Sequence, residues 1–160
     1  MNKVYSLLVH DNSSIATVVP KSMMSMEENK KIYWSCLKTC RVERCPNLDT
    51  VFVTNYDIIC FKELETFWAA DLLMTRYIWS KGRTTNSMNR QSFANLRTIH
   101  LHSCPRLIFV LPLSWFYTLS SLDTLHIVYC GDLSQVFPVE AKFLNKLSID
   151  LSRGVLKCWI

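Results

Sequence analysis

Histidines and cysteines are the residues of this chain that could bind a metal ion. His100 and His102 are two residues apart, so both imidazoles would lie on one face of an extended strand. His126 occupies the position equivalent to His100 in a similar segment later in the sequence. A structural zinc site needs four nitrogen or sulfur ligands in a tetrahedral arrangement. The three cysteines between positions 36 and 45 contain no C-x-x-C pair, and the cysteines that follow the histidines fall at a turn position expected to face inward. We therefore expect no metal site and no cofactor.

A thiol nucleophile with a histidine base is the second chemistry that these residue types suggest. Cys40 or Cys60 could be paired with His126. A catalytic pair of this kind needs a third group that orients the base, and the sequence contains neither such a group nor a G-x-S-x-G nucleophile elbow. We expect that the protein is not an enzyme.

The same apolar spacing occurs twice between residues 92 and 137, and it explains these histidines and cysteines better than catalysis does. It is the L-x-x-L-x-L-x-x-(N/C) pattern of a leucine-rich repeat. Offsets 3 and 5 leave a short strand on one face, and the chain turns at offset 8 around a small Asn or Cys. The residues at offsets 0, 3, 5, 8, 11 and 14 are Leu96, Ile99, Leu101, Cys104, Leu107 and Val110, and then Leu122, Leu125, Ile127, Cys130, Leu133 and Val136.

The template extends over the whole chain as one domain, residues 1–160, of about six irregular repeats. We predict an α/β leucine-rich-repeat solenoid, with a short parallel β-sheet on the concave face and loops and short helices on the convex face. One short helix is expected over residues 26–33, and residues 80–91 are expected to form an exposed loop. The pattern frays in the last repeat, and the tail after Leu151 departs from it. The repeats start at Val4, Leu37, Leu64, Leu96, Leu122 and Leu144.

Composition limits the functional classes. The chain is 49% hydrophobic and 19% charged, which is sufficient for a packed core. Its net charge of +5 is dispersed, so we expect no nucleic-acid partner. The longest apolar run, residues 107–117, is short and contains Pro112, so we expect no membrane span. Three of the seven cysteines fall at offset 8 as packing residues, and with no evident signal peptide we expect a reducing, cytoplasmic location.

The wording of the repeats resembles plant intracellular disease-resistance proteins of the nucleotide-binding, leucine-rich-repeat class. The phrases that carry the resemblance are VERCPNL from Val42, LHSCPRL from Leu101 and LHIVYCGDL from Leu125. The resemblance covers residues 4–150 and implies a C-terminal segment for pathogen-effector recognition and receptor autoinhibition in the defense response. The sequence has three glycines and no G-x-x-x-x-G-K-[ST] loop, so no nucleotide-binding domain is present and nucleotide binding is not carried over. A stand-alone adaptor or decoy and a non-functional truncated product are the alternatives.

Offsets 1, 2, 4, 6 and 7 are predicted to face the concave surface and to bind protein there. The resemblance implies an effector, a guarded host protein or the receptor's own nucleotide-binding domain as the partner. The alternative is a solvated sheet face without a partner. The first and last repeats have no caps and would leave apolar surface exposed. We therefore predict marginal stability for the isolated chain and a tendency to associate. The predicted protein-binding residues are Arg41, Glu43, Trp68, Arg97, His100, His102, Asp123, His126 and Val128.

Overall fold

Short parallel strands make up the part of the chain that the structure describes. The computed structural model describes residues 4–18, 34, 36–52, 61–79, 93–108, 110, 119, 121–133 and 157–159, the last three by their backbone alone. The eight strands are β1 (Ser6–His10), β2 (Thr39–Glu43), β3 (Thr50–Phe52), β4 (Thr66–Ala70), β5 (Tyr77–Trp79), β6 (Thr98–His102), β7 (Thr124–Val128) and β8 (Lys157–Trp159).

Six of these strands form one parallel sheet in the order β1-β2-β4-β6-β7-β8. The strands β1, β2, β4, β6 and β7 each occupy offsets 2 to 6 of a predicted repeat, and each pairs with its neighbour without a shift in register. Residues at one offset therefore form a line across the sheet, with neighbours about 4.8 Å apart.

Alternate residues of these strands point into the core, as the spacing predicts for offsets 3 and 5. Phe67 and Ala69 of β4 are fully buried, and Ile99 and Leu101 of β6 are buried equally well. The residues between them are partly or fully exposed. Because side chains alternate along a strand, an apolar residue at every second position buries one face of the sheet and leaves the other open.

The far side of the core contains a second sheet, in which β3 and β5 pair in parallel. The expectation of loops and short helices on this side is wrong for these segments, because β-branched and aromatic residues at Thr50–Phe52 and Tyr77–Trp79 favour an extended backbone. Thr75 is the buried polar residue here, and its hydroxyl donates a 2.5 Å hydrogen bond to the Leu48 carbonyl oxygen. No helix occurs within the described ranges, so none there could cross a bilayer.

Five aromatic side chains fill the space between the two sheets. Phe52 lies at their centre, with ring centroids at 4.8 Å from Phe61, 5.1 Å from Phe67 and 5.6 Å from Phe93. Trp79 completes the cluster at 5.9 Å from Phe52. All five are fully buried. Phe61 and Phe93 lie three residues before a repeat start, outside the template, and their role in the core was not predicted.

A left-handed residue follows each of the first five strands of the large sheet. The φ angles of these residues lie between 47° and 55°, a region in which non-glycine residues are uncommon. The conformation turns the chain out of the strand, and the turn is then closed by a backbone bond such as that from the Leu107 N–H to the Cys104 carbonyl oxygen. The five residues are Asp11, Arg44, Asp71, Ser103 and Tyr129.

The sixth strand of the large sheet is β8, in which Trp159 pairs with His126. The sequence placed the sixth repeat at Leu144, and residues 144–150 lie outside the described residues. The same is true of the helix expected at 26–33, the loop expected at 80–91, Cys60, and the beginning of the tail after Leu151. The strand that adds to β7 is formed by residues 157–159.

Candidate functional site

The candidate site is the face of the six-stranded sheet that points away from the core, which we call the open face. It is formed by the residues at offsets 2, 4 and 6 of β1, β2, β4, β6 and β7, together with the left-handed residues that follow these strands. Its members are exposed or half-buried, with the exception of Ala70. The register fixes which of them are neighbours, so the geometry of the face follows directly from the repeat spacing.

A stack of four side chains crosses the centre of the open face at offset 4. The guanidinium carbon of Arg41 lies 5.0 Å from the centroid of the Trp68 ring. The Trp68 and His100 rings are 4.7 Å apart, and the His100 and His126 rings are 4.5 Å apart and nearly parallel, at 13°. We call this group the central stack. It holds four of the nine predicted binding residues in one line, and it is the geometry expected of a cation and planar rings in contact.

The stack is extended and supported at its Arg41 end. Glu43 accepts a 2.6 Å hydrogen bond from Nε of Arg41, which fixes the guanidinium over the indole ring. Beyond Arg41 the line ends at Leu8, which is 55% exposed. The indole N–H of Trp68 is buried and has no hydrogen-bond partner among the residues described. Glu43 therefore lies beside the central stack and positions Arg41, the first member of the stack.

A column of hydroxyl groups runs beside the central stack at offset 2. Ser6 and Thr39 are joined by a 2.8 Å hydrogen bond between their hydroxyl oxygens. A depression of about 270 Å³ lies between this column and the stack, at the end of the sheet near Leu8. The sequence carried a signal for the column, since a Ser or Thr follows two residues after each of the first five repeat starts, and the prediction missed it. The members are Ser6, Thr39, Thr66, Thr98 and Thr124.

Residues that precede the strands add charge along one border of the open face. Lys38 and Glu65 form an ion pair at 3.1 Å. Arg97 and Asp123 come next in the same line, and the backbone N–H of Asp123 bonds to the carbonyl oxygen of Arg97. Both side chains are exposed. The structure therefore places Arg97 and Asp123 in one alternating row of charges at the border, separate from the central stack.

The opposite border contains the remaining predicted residues, His102 and Val128. They are partners in the β6–β7 ladder, and the His102 ring meets the Tyr129 ring edge-on at 5.6 Å. Tyr129 is 78% exposed and was not predicted as a site residue. Its φ of 55° turns it out of the strand onto the border. The border thus offers an apolar and aromatic corner.

An ion pair closes this border at the β1 end. Nε and Nη2 of Arg44 donate hydrogen bonds of 2.6 and 2.8 Å to the two carboxylate oxygens of Asp11. The bonds from Arg44, and then a bond with His10, hold the pKa of the Asp11 carboxyl well below its usual range. Both side chains are about half exposed, so the pair orders the surface more than it stabilises the fold.

The imidazoles and cysteines do not meet to form a ligand set in the part of the chain described. No three residues of the types His, Cys, Asp or Glu lie close enough together within those ranges to hold a metal ion. Cys40 is buried under the sheet, on the side opposite His126, and its burial raises the pKa of its thiol to about 12. A thiol of that pKa remains protonated at neutral pH and is a poor nucleophile.

The position of His100 in the stack predicts a pH-dependent stability. Burial, and then the neighbouring His126, lower the pKa of His100 below its ordinary value of about 6.5. A lowered pKa in the folded state means that the contribution to stability is present above about pH 6.5 and is lost as the pH falls through the folded-state pKa. Urea unfolding measures this effect. Between pH 7.5 and pH 5.5 the free energy of unfolding should fall more for the parent chain than for His100→Phe. An NMR titration in which His100 titrates above about 6.5 would contradict this.

Comparison with known proteins gives one clear similarity. In an alignment of 139 residues that covers 84% of this chain, the sequence is 30% identical to a protein of Arabidopsis thaliana that is provisionally named a disease resistance protein. The chain spans only 10% of that relative's length. No family model matches the chain, and no solved structure matches it. The sequence is thus similar to part of a plant disease-resistance protein.

Proposed function

We propose that this chain is a leucine-rich-repeat solenoid segment of a plant disease-resistance protein and that its open face binds protein. The proposed role is non-enzymatic and cytoplasmic, and it comprises recognition of a pathogen effector or a guarded host protein and restraint of the receptor's nucleotide-binding domain. Both roles depend on the equilibrium between a restrained and an active state of the receptor. A ligand shifts that equilibrium only if it binds one of the two states better than the other.

The central stack is the observation that carries the proposal. Four neighbouring strands each contribute one large side chain to it, and all four remain accessible on a sheet whose other face is the core. Tryptophan and arginine dominate the energetic centres of protein interfaces. Here Arg41 and Trp68 are already held in contact by Glu43 and the stacked rings. Little side-chain freedom remains to be lost when a partner binds, which favours affinity.

The borders of the open face support a protein partner of mixed character. One border alternates in charge, from Lys38 and Glu65 to Arg97 and Asp123. The row has no dominant sign, so attraction to a uniformly charged polymer is not favoured. A polypeptide with both charged and apolar side chains fits such a surface, with the stack at its centre and the polar rows at its rim.

Site-specific photo-crosslinking in plant leaf cells tests the proposal. A photoreactive amino acid is placed at Thr98, beside the central stack, and in a matched variant at Arg76, which is exposed next to β5 on the far side of the core. We expect light-dependent adducts with a defined protein from the Thr98 position, at least about tenfold more than from the Arg76 position. Mass spectrometry of the adduct distinguishes an effector, a host protein and the receptor's own domain. Equal labelling from both positions would overturn the proposal.

A further inference from the structure

Two cysteines at the ends of neighbouring strands are not explained by the proposed binding function. Cys104 and Cys130 occupy offset 8 of consecutive repeats, two residues beyond the ladder partners His102 and Val128. The register continues past the strands, because the Ser103 N–H donates to the Val128 carbonyl oxygen at 2.9 Å. In-register neighbours of this kind lie about 4.8 Å apart, inside the Cα–Cα range of about 4.4–6.8 Å that a disulfide spans.

The two thiols occupy matching positions in neighbouring turns. Both cysteines are reduced. The Cys104 thiol donates to the His102 carbonyl oxygen at 3.5 Å, and the Cys130 thiol donates to the Val128 carbonyl oxygen at 3.6 Å, so each sulfur bonds back to its own strand in the same way. Cys104 is fully buried, whereas Cys130 is half-buried and can be reached from solvent. The pair therefore consists of an accessible cysteine beside a protected one in the next turn.

Among the described residues, no other two neighbouring repeats both have a cysteine at offset 8. Cys45 has Asn12 at the equivalent position on one side and Leu72 on the other. The side-chain oxygen of Asn12 accepts hydrogen bonds from the backbone N–H groups of Ser14 and Ile15, which is typical of a turn residue. Cys45 thus serves as a packing residue without a partner thiol at the neighbouring turn, and it provides an internal control.

We propose that Cys104 and Cys130 form a peroxide-sensitive dithiol that oxidation converts into a disulfide joining the ends of β6 and β7. The proposal is independent of the binding role of the open face. Transient disulfides of this kind are compatible with a reducing compartment, where thiols are oxidised only while an oxidant is present.

The reaction balances with hydrogen peroxide as the oxidant. The Cys130 thiolate attacks one peroxide oxygen, the O–O bond breaks, and Cys130 becomes a sulfenic acid as the first water leaves with the thiol proton. Cys104 then attacks the Cys130 sulfur, the S–O bond breaks, and the departing hydroxide takes the Cys104 proton as the second water. Both sulfurs are oxidised and both peroxide oxygens are reduced. The neighbouring Cys104 thiol lowers the pKa of Cys130 to about 7, which supports the first step by supplying thiolate at neutral pH.

Peptide mapping of the purified full chain tests the proposal. The chain is treated with hydrogen peroxide, its free thiols are blocked, and it is digested with trypsin without reduction. Cleavage at Arg97, Arg106 and Lys142 gives peptide 98–106 with Cys104 as its single cysteine and peptide 107–142 with Cys130 as its single cysteine. We expect these two peptides to appear linked, with the loss of two hydrogens, and to separate after reduction. Peptides with Cys45 should remain unlinked.

Mixing isotope-labelled and unlabelled chains before oxidation shows whether the link lies within one molecule. Linked pairs of a single isotope type are expected. A Cys104→Ala variant should instead accumulate sulfenic acid at Cys130, which a dimedone probe traps, and a Cys130→Ala variant should leave Cys104 unreactive. Absence of the 98–106 to 107–142 link in the oxidised parent chain, or a link found mainly between isotope types, would overturn the proposal even where a variant fails to fold.

Discussion

Replacing Phe52 with alanine is expected to lower the free energy of unfolding by about 3–5 kcal/mol. The Phe52 ring contacts the rings of Phe61, Phe67 and Phe93 and lies 5.9 Å from that of Trp79, with no exposed surface. Its removal leaves a cavity between the two sheets that these rigid rings cannot close. Domains are stable by about 5–15 kcal/mol, so a loss of this size would bring a chain at the lower end of that range close to unfolding. Urea unfolding followed by tryptophan fluorescence measures the loss.

Two control variants make the Phe52 result interpretable. Phe52→Leu keeps an apolar group at the centre of the cluster and should cost less than the alanine variant. Leu73→Ala removes a side chain that is 57% exposed and should change the free energy of unfolding by less than about 0.5 kcal/mol. A loss below about 1 kcal/mol for Phe52→Ala would show that the aromatic cluster is not packed as described.

The second large effect is expected on binding, from Trp68→Ala. This change removes the ring that joins Arg41 to His100, and with it the middle of the central stack. Truncation of a tryptophan at the centre of an interface costs 2 kcal/mol or more, which corresponds to about 30-fold weaker binding. The fold should survive, because the cation–π contact and the ring contact contribute only about 1–2.5 kcal/mol together. The measurement is the yield of the light-dependent adduct formed from the Thr98 position.

The matched control for Trp68→Ala is Leu73→Ala, which removes apolar surface outside the open face. It should leave the adduct yield unchanged. Replacing Arg41, Trp68 and His100 together should abolish the adduct while circular dichroism and the urea midpoint report a folded chain. Unfolding of the triple variant would count against the assignment of these side chains to the open face.

The apolar spacing of the sequence predicts the strands and the open face well, for a physical reason. A strand with a buried face needs an apolar residue at every second position, so the pair at offsets 3 and 5 marks both the strand and its orientation. That is why β4 and β6 lie where the spacing places them, and why Trp68 and His100 become neighbours. Parallel pairing without a shift in register then produces the central stack.

The far side of the core was less predictable, because its segments vary in length and carry no shared period. The repeat starts are separated by intervals of 22 to 33 residues, and the template is silent on what lies between them. Phe61 and Phe93 fall in those intervals. Thr75 departs from the template, since a hydroxyl replaces an apolar group and is satisfied by the Leu48 carbonyl oxygen. Which residues fill the far side of the core is decided by contacts between segments that are distant in the sequence.

The pairing of the strands can be tested through the central stack, because this register makes its rings neighbours. NMR spectra of the chain with labelled histidine and tryptophan report which rings are within about 5 Å of each other. We expect contacts between Trp68 and His100 and between His100 and His126, whose ring centroids are 4.7 and 4.5 Å apart. Contacts from Trp68 to His102 in their place, or no contacts among these rings, would show that the strands pair in another register and that the open face is not the surface described.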